Sequence, residues 1–298
     1  AGLSEYEGEV TDLGGKFIMP GILDTHVHVT MPVGFEYADM GMRLECNGKQ
    51  EALDIMSDYI KKNPGEERYR FLLEKRFLHG DDIVKEDLDA ICPDAEILIQ
   101  EAEGHSIWVN SRILAKHGIT DDTPDPVPGL TYYVRKDGHV TGNMIEASTE
   151  VPIILDSMMK LTDEQVDAPL NRWIEFSVNA GVSCVFDAGL PGDPVFHEKI
   201  YKRLCELDEQ GKLPVYIDGS YVVMSARDAE KALKELKRFR SEYNTEHVKV
   251  HTMKIMMDGT QRIHTAAMVT PYVDVNTLGS TAFSPEELAD LLKQLNEA

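Results

Sequence analysis

Residues 17–30, Phe17-Ile18-Met19-Pro20-Gly21-Ile22-Leu23-Asp24-Thr25-His26-Val27-His28-Val29-Thr30, decide how this chain is read. An apolar run broken at Pro20-Gly21 passes into Asp-Thr-His-Val-His, where polar side chains able to hold a metal replace aliphatic ones. Strand side chains alternate between faces, so His26 and His28 project from one side about 7 Å apart along the backbone, within reach of one ion. Two histidines hydrogen-bonded to their neighbours at a strand end would give the same letters. What favours a clamp is position: the strand is apolar until its C-terminal end, where α/β barrels keep their chemistry.

The rest of the composition narrows the setting. A chain of 298 residues suits one α/β barrel or two modest domains. Its net charge of −22, from 52 acidic and 30 basic residues, opposes nucleic acid phosphates and anionic lipid headgroups, so no nucleic acid and no membrane partner is expected. Cys46, Cys92, Cys184 and Cys205 follow no CxxC or regular spacing, which suits free thiols in a reducing cytoplasm. No stretch approaches the roughly eighteen apolar residues of a membrane span, and AGLSEYEGEV lacks the basic and apolar regions of a signal peptide. A soluble cytoplasmic protein is the expectation.

In chain order, Glu9–Phe17 reads as a strand ended by a Gly-Gly turn and in need of partners. Apolar spacing predicts helices over Gln50–Lys62 and Glu66–Phe77, then a strand over Ala95–Gln100. His105 follows a glycine at the end of that strand, a place from which a side chain can enter a pocket or cap the helix that follows, closed by Gly118. Trp108 in such a place is more often core. Thr120–Gly129 is a proline-rich loop, and Leu130–Gly142 a hairpin turning at Asp137-Gly138 with His139 exposed. A helix from near Met144 would carry Glu146, either into a pocket or on its surface.

From Asp163 helices and apolar strands alternate: helix 163–180, strand 182–189, helix 194–208, strand 214–223, helix 226–243, strand 247–259. Repeated units of this size argue for a parallel sheet covered by helices, with the His-x-His strand as the first of four. In the fourth, Lys254 shares a face with Thr252 and Asp258 if pairing is regular, and His251 falls opposite. A lysine inside a barrel must be paired, depressed in pKa or modified, and a salt bridge is the simplest solution.

The segments PGILDTHVH, EGHSIWVNSRIL, DGHVTGNMIE, GVSCVFDAG and KIMMDGTQ, in this order over nearly the whole chain, resemble the amidohydrolase superfamily. The likeness is closest to its family-3 branch, which includes N-substituted formamide deformylases. The resemblance implies a (β/α)8 TIM barrel with one or two divalent ions, usually zinc, at the C-terminal ends of its strands. By position it makes His26 and His28 metal ligands and Lys254 a candidate carboxylated bridge between two metals. It places His105, Trp108, Asn110, Asp258 and Gly259 on the substrate side of the pocket.

The family's later ligands, a histidine at strand five, another at strand six and an aspartate at strand eight, have no counterpart before Ala298. The expectation is therefore about half a barrel over residues 21–298, with a long insertion at about 30–160 bearing Trp108, Tyr132 and Tyr133. Residues 1–20 would be the remnant of a small β-sandwich. The activity implied is hydrolysis of non-peptide carbon-nitrogen bonds in a small amide or formamide by metal-activated water. The alternatives are an incomplete subunit needing a second chain or copy, and a metal-dependent isomerase or lyase.

Overall fold

A computed structural model describes residues 8–30, 33, 42–74, 82–102, 104–146, 162–189 and 194–297. Two sheets organise them. The first is wholly parallel, in the order β1 (Ile22–Val27), β8 (Val182–Asp187), β9 (Tyr216–Val223), β10 (Val248–Ile255). Its crossovers run through α4 (Asp163–Asn179), α5 (Pro194–Glu209) and α6 (Ala229–Glu242). The four strands expected from sequence are these four.

Those helices cover one face of the sheet. Val27, Val29, Val185, Ile217, Val248 and Val250 turn into a shared core with Leu170, Ile200, Leu204 and Phe239. Strand side chains alternate, so His26, His28, Asp218 and Lys249 take the other face. On β10 the alternation slips. Pairing with β9 is irregular between Val250 and Thr252, which leaves His251 as the extra residue of a bulge. Met253 and Ile255 return to the helix side, so Lys254 and His251 lie on the same face rather than on opposite ones. His251 approaches Asp218, 3.4 Å away.

The second sheet is mixed and is built from residues 42–145: β2 (Met42–Leu44), β3 (Arg68–Leu73), β4 (Glu96–Glu101), β5 (Ser106–Val109), β7 (His139–Ile145), β6 (Tyr132–Lys136). The first three are parallel and the rest antiparallel. One face packs on α1 (Lys49–Lys62) and α2 (Lys85–Ile91) through Met56, Phe71, Leu88, Ile97 and Ile99. The other packs on α3 (Ser111–Lys116) through Leu98, Val109, Ile113 and Leu114. A strand buried on both faces need not alternate along its length, which is why the part of the Glu66–Phe77 helix that lies within the described residues is in fact β3.

Three further expectations change. Residues 9–17 form no strand: the Gly14-Gly15 turn is present, but no strand among the described residues pairs with the segment. Ser106–Val109 is a strand that sequence reading left unassigned. Met144 lies in β7, so Glu146 sits at a strand end and not on a helix. The hairpin stands as expected, with Asp137 and Gly138 at φ 52° and 85°. The last helix, α7 (Pro285–Asn296), is capped by Ser284 and joins β9 and the loop at Leu130 in one apolar cluster. No helix among the described residues is long and apolar enough to cross a membrane.

Candidate functional site

His26 and His28 leave the C-terminal end of β1 with ring centroids 5.3 Å apart and planes 87° to one another. The Asp24 carboxylate accepts the His26 amide at 3.2 Å, so it shapes the backbone rather than an imidazole. His28 Nδ1 lies 2.6 Å from the Gly189 carbonyl at the end of β8. A carbonyl only accepts, so His28 carries a proton on Nδ1, and in the neutral imidazole Nε2 is then the nitrogen with the lone pair. Lys254, half-buried, has neither a hydrogen bond nor an ion pair among the described residues, so the salt bridge expected for it does not form. No cluster of three or more His, Cys, Asp or Glu side chains suited to a metal occurs among the described residues.

A second constellation forms where the mixed sheet meets the loop after β10. Pairing of Ser106 with Ile145 sets His105 opposite Glu146, whose amide donates to the His105 carbonyl at 2.8 Å. The Glu146 carboxylate is divided: Oε2 is 2.9 Å from His105 Nδ1, and Oε1 accepts the Thr265 hydroxyl at 3.0 Å. That bond to Glu146, against the opposing effect of burial, raises the His105 pKa. Glu146 pays for this placement with a left-handed φ of 49°, strained for a residue with a Cβ.

Gly259 closes the group from the other side. A Cβ there would lie 2.0 Å from Thr265 Oγ1 and 2.9 Å from Glu146 Oε1. Neighbouring Asp258 accepts the Ala267 amide at 3.0 Å. The fully buried Glu101 carboxylate lies close by, with no hydrogen bond and with Arg262 3.7 Å away.

The structure thus brings His26 and His28 together, and His105, Glu146 and Gly259 together. It does not bring Trp108 or Asn110 to either group. Trp108 is buried in the core of the mixed sheet with its indole N–H on Asp82 at 2.9 Å. Asn110 is the N-cap of α3, accepting from Ile113 N and donating to the Ala95 carbonyl. Their polar atoms are engaged inside the fold, away from the two groups described above. Thr265 is the member that sequence reading passed over, and Glu146 was weighed only as a helix residue entering a pocket or lying on the surface. The Asp137-Gly138 turn sets the register of β7 against β6, so it gives no signal for the pairing with β5 that brings Glu146 to His105.

Comparison with known proteins supports one family. The profile described as "Amidohydrolase family" matches residues 9–298. The exoenzymes regulatory protein AepA of Pectobacterium carotovorum is 26% identical over 278 residues, covering 91% of this chain and 58% of that protein. The putative amidohydrolase YtcJ of Bacillus subtilis is 26% identical over 302 residues, covering 98% and 53%. An N-substituted formamide deformylase of Arthrobacter pascens is 24% identical over 163 residues, covering 50% and 28%. The fold is similar to that of an uncharacterized metal-dependent hydrolase from Pyrococcus horikoshii, with a TM-score of 0.56 at 19% identity, over 99% of this chain and 55% of that one. The chain spans about half the length of the relatives it matches most extensively.

Proposed function

Because the chain belongs to the amidohydrolase family, we propose that it hydrolyses carbon-nitrogen bonds other than peptide bonds, in small amides or N-substituted formamides, with a divalent metal held at His26 and His28. The observation that carries the reading is the His28 tautomer: Nδ1–H is spent on the Gly189 carbonyl, leaving Nε2 as a ligand beside the His26 ring. These residues fit a metal as part of a donor set, since catalytic sites use about three protein ligands. The Lys254 side chain has no competing partner among the described residues and serves as the next donor if carboxylated. Zinc, which neutral imidazoles hold readily, is the ion we propose.

When bound, such an ion supplies Lewis acidity, lowering the pKa of water and polarising a carbonyl. The protein's own contribution is orientation and hydrogen bonding. His105, as an imidazolium held by Glu146 at Nδ1, would present Nε2–H as a donor to a substrate oxygen. Asp258 and Gly259 hold the loop that supports Glu146.

Both outer edges of the parallel sheet lack a partner strand among the described residues. Phe17, Ile18 and Leu23, before and on β1, are 87%, 71% and 65% exposed. Apolar edges of this kind are ordinarily covered. We read the sheet as half of a (β/α)8 barrel, completed by further barrel strands from a longer protein or a second chain. All four cysteines are free, which suits a reducing cytoplasm.

Zinc titration and turnover on a panel of N-formyl and N-acyl amines test this. His26→Ala with His28→Ala should remove both metal and activity, and retention of bound zinc in that double variant refutes the assignment. Products without a released amine would redirect it to an isomerase or lyase.

A further inference from the structure

Behind His28 lies a run of hydrogen bonds that begins inside the helix-covered core. Asp187, at the end of β8, is fully buried. Its Oδ1 accepts from the Val29 and Gly189 amides, each at 3.2 Å, and its Oδ2 accepts from the Tyr201 hydroxyl of α5. The Asp187 main-chain carbonyl takes the Ser220 hydroxyl at 2.7 Å. A buried carboxylate stripped of such donors would cost several kcal/mol, so the network specifies where every member sits. Burial and Asp187 push the Tyr201 hydroxyl well above its ordinary pKa, which keeps it a donor.

Two glycines make room for this path. A Cβ at Gly219 would lie 2.5 Å from the Tyr201 hydroxyl oxygen, so β9 leaves its helix-facing side open there. Gly189 has φ +64°, and a Cβ would meet Val222 Cγ2 at 2.4 Å. The peptide whose amide binds Asp187 and the carbonyl that binds His28 both belong to Gly189.

We propose that Asp187 and Tyr201 are positioning residues for His28, holding the Gly189 carbonyl so that the imidazole keeps its proton on Nδ1 and presents Nε2 to a divalent ion. The inference rests on the metal site proposed above, but it also makes a claim about the imidazole itself. Neither residue touches the ion or substrate. Asp187 pins both ends of the joint, Val29 next to His28 and Gly189 opposite it, while Tyr201 fixes the carboxylate from behind. Partners of this kind, removed, typically weaken metal binding by about 10- to 100-fold.

The test combines zinc affinity with 15N NMR of the histidine side chains, assigned through His28→Ala. Tyr201→Phe keeps the ring and should weaken zinc about tenfold, with the His28 nitrogen shifts moving toward a mixture of tautomers. Asp187→Ala should weaken it further, about 10- to 100-fold. Asp187→Asn, whose Oδ1 can still accept both amides, should recover most of the affinity. If Tyr201→Phe and the folded Asp187 variants bind zinc as the wild type does and leave the His28 shifts unmoved, the proposal is overturned. Should the His26/His28 double variant retain zinc, the metal-site reading fails instead, and the tautomer shifts in Tyr201→Phe alone still decide the positioning claim.

Discussion

In the mixed sheet β3 is buried from Tyr69 to Leu73 and β5 from end to end, whereas in the parallel sheet β1 is exposed from Ile22 through His26. The mixed sheet has helices or strands against both faces and closes its own cores. The parallel sheet has helices on one face, while the other carries His26, His28, Asp218, His251 and Lys254. Burial free energy, at about 25 cal/mol per Å², is therefore concentrated in the helix-covered cores of both sheets, and the side chains proposed to hold a metal stand on the one sheet face where burial is incomplete. Stability and metal binding should separate on mutation accordingly.

The largest effect should come from breaking the closed sheet. Trp108→Ala removes a buried indole and one of the donors to Asp82 Oδ1, which keeps the Ile83 amide at 3.0 Å while Oδ2 keeps the Asn143 amide at 2.7 Å. A loss of about 3–5 kcal/mol in denaturant unfolding is expected. His26→Ala, at an exposed position, should cost less than about 0.5 kcal/mol while removing zinc affinity. Equal destabilisation by the two variants would erase the distinction between the sheets.

The same contrast explains what sequence could and could not reveal. The parallel strands were legible because helices and apolar strands alternate after Asp163, and the His-x-His pair because two polar side chains end an apolar run. β3 was misread because Arg68-Tyr69-Arg70-Phe71-Leu72-Leu73, buried on both faces, alternates over only four residues before running apolar, too short a pattern to stand out from the apolar spacing around it. His251 was set on the wrong face because a bulge leaves no mark in the letters around it. Trp108 and Asn110 followed His105 in one motif, yet β5 turns the indole into the core and α3 takes the amide as its cap. Glu146 was undervalued because its role depends on Thr265, 119 residues away.

A smaller effect is expected where the two regions meet. Gly259→Ala would force its new methyl into Thr265 Oγ1 and toward Glu146, as the close approaches at that position require. Since Thr265 is fully buried, the strain cannot be relieved by a side chain swinging into solvent. Overpacking of this kind costs about 1–3 kcal/mol. The displacement should also reach His105 through Glu146, visible as a changed imidazole NMR signal, while His26 and His28 stay as they were. A variant with wild-type stability and an unmoved His105 signal would mean that the loop after β10 does not brace the pair.

The smallest effect concerns the pH dependence of that pair. Its side-chain hydrogen bond to Glu146 raises the His105 pKa in the folded protein above the ordinary value near 6.5. A group whose folded pKa is raised contributes stability that is fully present below its unfolded value and is lost as pH rises through the folded one. Glu146→Gln still accepts the Thr265 hydroxyl through its amide oxygen but no longer favours the imidazolium. Wild type should therefore hold an advantage over the variant near pH 6 that narrows progressively as pH rises past 6.5 and the wild-type imidazolium titrates. The His105 side chain is about a third exposed, so water screens the pair and the effect stays small. Unfolding midpoints measured across that range, with the His105 titration followed by NMR, check both the sign and the site. Parallel stability curves for the two proteins, or a His105 that titrates identically in each, would show that Glu146 does not set the charge of the imidazole facing the proposed substrate.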